Sequence, residues 1–106
     1  MAGRVNDTLV KVARFDGDFV WHRHLETDEA FLCLSGRLVI LLRDGDDAAS
    51  ERSVELGEGD LFVVPRGVEH CPRAPEGATV ALFEAAGVVN TGTAGGDLTA
   101  EVDRPL

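Results

Sequence analysis

Valine, leucine, isoleucine and phenylalanine recur in short bursts along this chain, without a sustained helical period. Apolar bursts bounded by turn residues are what strands leave in a sequence. Strands are expected at 8–15 (TLVKVARF), 19–24 (FVWHRH), 29–36 (EAFLCLSG) and 37–44 (RLVILLRD). Four more are expected at 53–56 (SVEL), 60–65 (DLFVVP), 69–74 (EHCPRA) and 79–85 (TVALFEA). Turn signals separate them: DGD at 16–18, SGR at 35–37, DGDD at 44–47, GEGD at 57–60, PRG at 65–67 and PEG at 75–77. About eight short strands at this spacing predict an all-β sandwich or barrel.

RLVILLRD is continuously apolar rather than alternating. That predicts burial on both faces, one inside the barrel and one against a second sheet or another subunit. A lone barrel would leave the outer residues as an exposed patch, so a homodimer is expected. From residue 87 the composition turns to Gly, Thr and Ala and the strand rhythm stops. The tail 87–106 is expected to be an extended arm. A chain of 106 residues fits a single domain, 1–106, with the barrel at about 8–86.

Charge narrows the partners. A net charge of −9 offers no excess of Lys and Arg to neutralise phosphates, which argues against nucleic acid and anionic membranes. The acids concentrate at 44–60, expected to be a solvated hairpin rim. No apolar run approaches the roughly 20 residues of a membrane helix, and MAGRVNDTLV has no signal-peptide pattern, so a cytoplasmic protein is expected. There, Cys33 and Cys71, which form no Cys-x-x-Cys pair, are expected as reduced thiols. The chain has no tyrosine, so chemistry that needs a Tyr base or a Cys–Tyr crosslink is excluded.

The chemistry concentrates in VWHRHLETDEAF, residues 20–31. On a strand, residues two apart point the same way, so His22 and His24 share one face while Trp21 and Arg23 take the other. Adjacent imidazoles suit a first-row divalent metal. Glu29 opens the next apolar run and shares its face with Phe31 and Cys33. A returning loop would bring Glu29 beside the histidines and leave Glu26 and Asp28 at the rim as turn acids. His70, the third and last histidine, opens a later strand, with Cys71 pointing the opposite way. Phe31 and Cys33 are expected inside the barrel, as packing or pocket wall, and Trp21 in packing away from the site. Arg43 and Arg73 are expected at the surface. In the last strand Glu84 shares a face with Val80 and Leu82, and Phe83 with Ala81 and Ala85; the pattern leaves open which set faces inward.

Two stretches resemble the motifs of the cupin superfamily. The first is Gly17-DFVW-His22-Arg23-His24-LETD-Glu29-AFLCLS-Gly36, one residue short after its opening glycine. The second is Gly59-DLFVV-Pro65-Arg66-Gly67-VE-His70-CPR-Ala74, with Ala74 where the family pattern has asparagine. Together they span 17–74, about half the chain.

The resemblance, which is to small single-domain cupins of the cupin-2 or mannose-6-phosphate-isomerase-like type, implies a double-stranded β-helix, or jelly roll. It implies His22, His24, Glu29 and His70 as ligands of one divalent transition metal: Mn, Fe, Ni, Co or Zn. Gly36 and Gly67 would be turn residues of unusual backbone conformation, Pro65 would stiffen the approach to His70, and Ala74 would remove an amide near the pocket. Phe31, Cys33 and Ala74 are the candidate substrate-pocket residues, and Glu29 could also shuttle a proton. The function implied is a metal-dependent enzyme of dioxygenase, isomerase, epimerase or lyase type acting on a small oxygenated metabolite. The alternative is a non-catalytic module that binds or senses a small ligand. The few candidate arginines favour a neutral or carbonyl molecule over a sugar phosphate.

Overall fold

A computed structural model describes residues 2–43 and 50–86. These residues form an antiparallel jelly roll with no α-helix among them. The strands are β1 (Gly3–Val5), β2 (Thr8–Asp18), β3 (Glu29–Gly36), β4 (Leu38–Arg43), β5 (Arg52–Leu56), β6 (Leu61–Val64) and β7 (Glu69–Ala85). β7 organises the architecture. Its first part pairs with β4, from Glu69↔Arg43 to Arg73↔Val39. Its second part pairs with β3, from Ala78↔Gly36 to Glu84↔Glu29. β2 runs along the other side of β7, and β1, β6 and β5 extend the edges from β2, β3 and β4.

Several expectations are corrected. The segments 69–74 and 79–85 are two parts of one strand. Pro75 and Glu76 stand exposed between them, where β7 leaves β4 and takes up β3. The PEG signal marks a corner within a strand because β2 keeps pairing on either side of it. DGD at 16–18 is likewise inside β2, where the register shifts between Phe15 and Gly17 and Gly17 takes φ 76°. A glycine of positive φ at a register shift makes a bulge rather than a reversal. The stretch 19–24 is not a strand: its one β-bridge to β7 is His22↔His70, beside a bond from the Phe19 N–H to the Pro72 carbonyl at 2.9 Å. The short strand β1 precedes those expected from the sequence; Asn6, at φ 53°, turns the chain from it into β2. Of the expected rim at 44–60, residues 44–49 lie outside the described residues, as does the arm at 87–106; residues 50–60 run through β5 and are exposed or half-buried except Leu56.

β4 also departs from expectation. Leu38, Ile40 and Leu42 are fully buried, while Val39, Leu41 and Arg43 are only half-buried. Alternation holds after all, with apolar residues also on the outer face. The core gathers Phe31, Cys33, Leu38, Ile40, Leu42, Leu56, Val64 and Val80 between the leaves. Gly36 closes the β3–β4 turn at φ 79°, and a Cβ there would collide with the Gly77 carbonyl oxygen at the β7 corner. Among the described residues no helix is long and apolar enough to cross a membrane.

Candidate metal centre

His22 and His24 come from the segment between β2 and β3, Glu29 from the first position of β3, and His70 from the start of β7. Pairing fixes their positions. The His22 N–H donates to the His70 carbonyl at 3.0 Å, and the His70 N–H donates back at 2.8 Å. The Gly67 N–H donates to the His24 carbonyl at 2.8 Å, joining the two histidine loops. Asp28, expected as a solvated turn acid, is exposed but accepts the Arg66 N–H at 2.8 Å. That bond, with the nearby Arg66 guanidinium, holds its carboxyl below the usual range. Glu26 stays exposed.

All four side chains are buried, and one ligating atom from each lies within 4.8 Å of the others. Hydrogen bonds set the tautomers. His22 Nδ1 is 2.8 Å from the Val20 carbonyl oxygen and His70 Nδ1 is 2.9 Å from that of Val68. A carbonyl only accepts, so each Nδ1 carries the proton and each Nε2 turns a lone pair inward. His24 Nε2 and His70 Nε2 both stand 3.4 Å from Glu29 Oε1. The Nε2 atoms of His22 and His24 are buried without a hydrogen-bond partner. Buried polar atoms rarely remain unmatched, and a cation among them would satisfy them. The donor set therefore fits a first-row divalent metal.

Electrostatics favour the ligating forms. Burial, then the neighbouring His70, lowers the His22 pKa to about 4, so its imidazole is neutral at neutral pH. Burial alone would raise Glu29; the His24 and His70 rings against its Oε1 outweigh it and hold the carboxyl well below its ordinary range. A neutral His22 imidazole and an ionised Glu29 are the forms in which these two groups can ligate a divalent ion.

The inward set in the last strand is Val80, Leu82 and Glu84. Glu84 is the register partner of Glu29, and Lys11 Nζ lies 2.6 Å from its Oε1. Burial and the Glu29 charge push its pKa up to about 7. Sequence reasoning did not assign Glu84 a role. The signal available was an acid replacing an apolar residue in the alternation Val80, Leu82, Glu84.

A cavity of about 250 Å³ opens onto this cluster, with His22, Glu29 and Phe31 at its buried end and Asp16, Gly17 and Asp18 at its mouth. Phe31 lines it; Cys33 and Ala74 are fully buried in the core cluster. Burial raises both thiols above their ordinary pKa, so they remain protonated. The Cys71 thiol points to the Phe19 carbonyl at 3.3 Å. Trp21 faces away from the cluster and carries the Arg43 guanidinium 4.0 Å above its ring. Arg73 pairs with Asp18 at 2.7 Å.

Comparison with known proteins agrees with this geometry. Residues 9–85 match the family model described as Cupin domain. The Bacillus subtilis (strain 168) protein YdbB is 36% identical over 70 residues, 66% of this chain and 57% of that protein, so the match spans little more than half of its length. A cupin-2 domain containing protein from Shewanella frigidimarina superposes with a TM-score of 0.70 at 36% identity, covering 78% of this chain and 74% of that one. The hydroquinone 1,2-dioxygenase of Sphingomonas sp. TTNP3, whose structure holds 4-hydroxybenzoate, superposes with a TM-score of 0.63. At 20% identity, over 81% of this chain and 64% of that one, the likeness is one of fold.

Proposed function

The chain belongs to the cupin domain family, and from that premise we propose that His22, His24, Glu29 and His70 hold one divalent transition metal serving a metal-dependent enzyme. The observation that carries this reading is the pair of buried, unmatched Nε2 atoms of His22 and His24 beside Glu29 at the closed end of a cavity. Bound there, a metal supplies Lewis-acid or redox chemistry toward a small oxygenated molecule. The protein's own part is to exclude water, through Phe31 and Leu82 in the cavity wall, and to fix the imidazoles through the Val20 and Val68 carbonyls. Glu29 is the one carboxylate in the cavity lining that is buried, and it is the candidate for holding or moving a proton.

Dioxygenase chemistry is the leading reaction class, with the Sphingomonas enzyme as a precedent for it on this fold; isomerisation and lyase chemistry are the competing ones. Elemental analysis combined with an oxygen-uptake screen tests the proposal. About one metal per chain is expected. Protein that stays metal-free after growth in supplemented medium and after reconstitution would overturn it. Oxygen-independent turnover would move the reaction to the isomerase or lyase class.

We also propose a homodimer. The outer face of the β2–β7–β3–β6 leaf is apolar, with Val12, Leu34, Leu61 and Val63 each about half exposed. A second copy would cover such a face. Light scattering that gave a monomer mass would refute this.

A further inference from the structure

The walls of the cavity say more about its occupant than the metal cluster does. Between the buried end and the mouth they are apolar and largely aromatic: Phe15, Phe19, Phe31, Pro72 and Leu82. The rings form an ordered series. Phe15 and Phe19 meet edge to face at 5.8 Å between centroids, Phe19 meets His22 at 5.4 Å, and Phe31 meets His70 at 5.9 Å. The aromatic surface thus runs continuously from the mouth to the imidazoles.

Size sets one limit. A cavity of about 250 Å³ lies above the ~150 Å³ that encloses benzene and below the ~300–1,000 Å³ of drug-sized sites. One ring with small substituents fits. Polarity sets another. The polar lining groups lie at the two ends, with His22 and Glu29 inside and Arg14, Asp16 and Asp18 outside. A polyol would leave its middle hydroxyls facing phenylalanine and proline, without partners.

Charge sets the third. Arg14, the cation in the cavity lining, already has an aspartate, Asp16 at 3.7 Å, and Arg73, outside the lining, lies 2.7 Å from Asp18 at the mouth. A carboxylate or phosphate on the outer end of a ligand would have to compete with those aspartates. An uncharged or hydrogen-donating outer group meets no such competition.

We propose that the site takes a neutral, monocyclic aromatic molecule with a hydroxyl or carbonyl oxygen at the end that enters first, toward His22 and Glu29. This rests on the metal-dependent reading for its chemistry. The size, apolarity and charge of the cavity stand independently of the metal.

The test is calorimetric titration of the full chain with phenol, catechol, 4-hydroxybenzoate and mannose 6-phosphate, in metal-loaded and metal-free forms whose metal content has been measured. Phenol and catechol should bind saturably in both forms, and more tightly in the loaded one. They should bind about tenfold or more tightly than the two anions. Phe19→Ala, at a half-buried wall position, should weaken phenol about tenfold at unchanged metal content. Phe31→Ala should do the same if it folds, and Phe19→Ala serves if it does not. Failure of phenol and catechol to bind either form, or tighter binding of mannose 6-phosphate, overturns the inference whatever the metal content. A metal site that stays empty after reconstitution, with phenol still bound in the cavity, overturns the metal reading alone and supports the aromatic one.

Discussion

His22 and His70 face each other across one antiparallel bridge, each donating its backbone N–H to the other's carbonyl, with ring centroids 4.2 Å apart. The two cupin-like motifs therefore meet at their histidines. One loop holds the other in place, and neither imidazole depends on the other's side chain for its position.

Removing one ring should thus spare the fold and empty the site. His70→Ala and His22→Ala should each fold, by circular dichroism, and lose metal on dialysis. Losing an outer hydrogen-bond partner typically costs about 10–100-fold in metal affinity. Loss of a donor should exceed that upper figure in competition with a chelator. Retention of metal at wild-type affinity by either variant would remove that histidine from the site.

Gly36 tests the corner of the jelly roll rather than the site. Its φ of 79° and the Gly77 carbonyl against it leave no room for a side chain. Gly36→Ala should cost about 2 kcal/mol or more, seen as a lowered urea midpoint. Gly3, with nothing within 4 Å of an added Cβ, is the control. Gly3→Ala should stay within about 0.5 kcal/mol of wild type. Equal midpoints for the two variants would show that the corner yields.

Strand alternation, together with the spacing of the two cupin-like motifs, separates Glu29 from Glu26 and Asp28, because burial of one face is a local consequence of the pleat. It also placed Phe31 and Cys33 inward. It failed where pairing crosses the sequence. The DGD and PEG signals read as reversals, yet β2 and β7 pair continuously around them, from Thr8↔Ala85 to Asp18↔Arg73. A local composition of Pro, Gly and Asp cannot tell a bulge or corner from a turn; the partner strand decides. Asp28 was undervalued for the same reason, since its partner, the Arg66 N–H, lies 38 positions away in sequence. Glu84 stood at the right place in an apolar alternation. Its meaning required the register that sets it opposite Glu29.

Glu84 and His22 give the metal-free protein two opposed responses to pH. His22 is lowered from 6.5 to about 4 on folding. As pH falls through 6.5 the unfolded chain takes up a proton that the folded one refuses, so stability falls with acidification. Glu84 is raised from 4.5 to about 7. As pH rises above 4.5 the unfolded chain releases a proton that the folded one keeps, so stability falls as pH rises toward 7. Between pH 4.5 and 6.5 the two effects are of similar size and opposite sign, and wild type should show little net slope from them. Glu84→Gln removes one side. Its urea midpoint, followed over that window in chelator-treated protein, should fall with acidification by the equivalent of up to about 3 kcal/mol. Lys11 loses its partner in this variant, so the slope of the profile, not its level, is what the comparison with wild type reads. A Glu84→Gln profile as flat as wild type would mean that His22 is not held neutral, and that its Nε2 does not present a free lone pair to the centre.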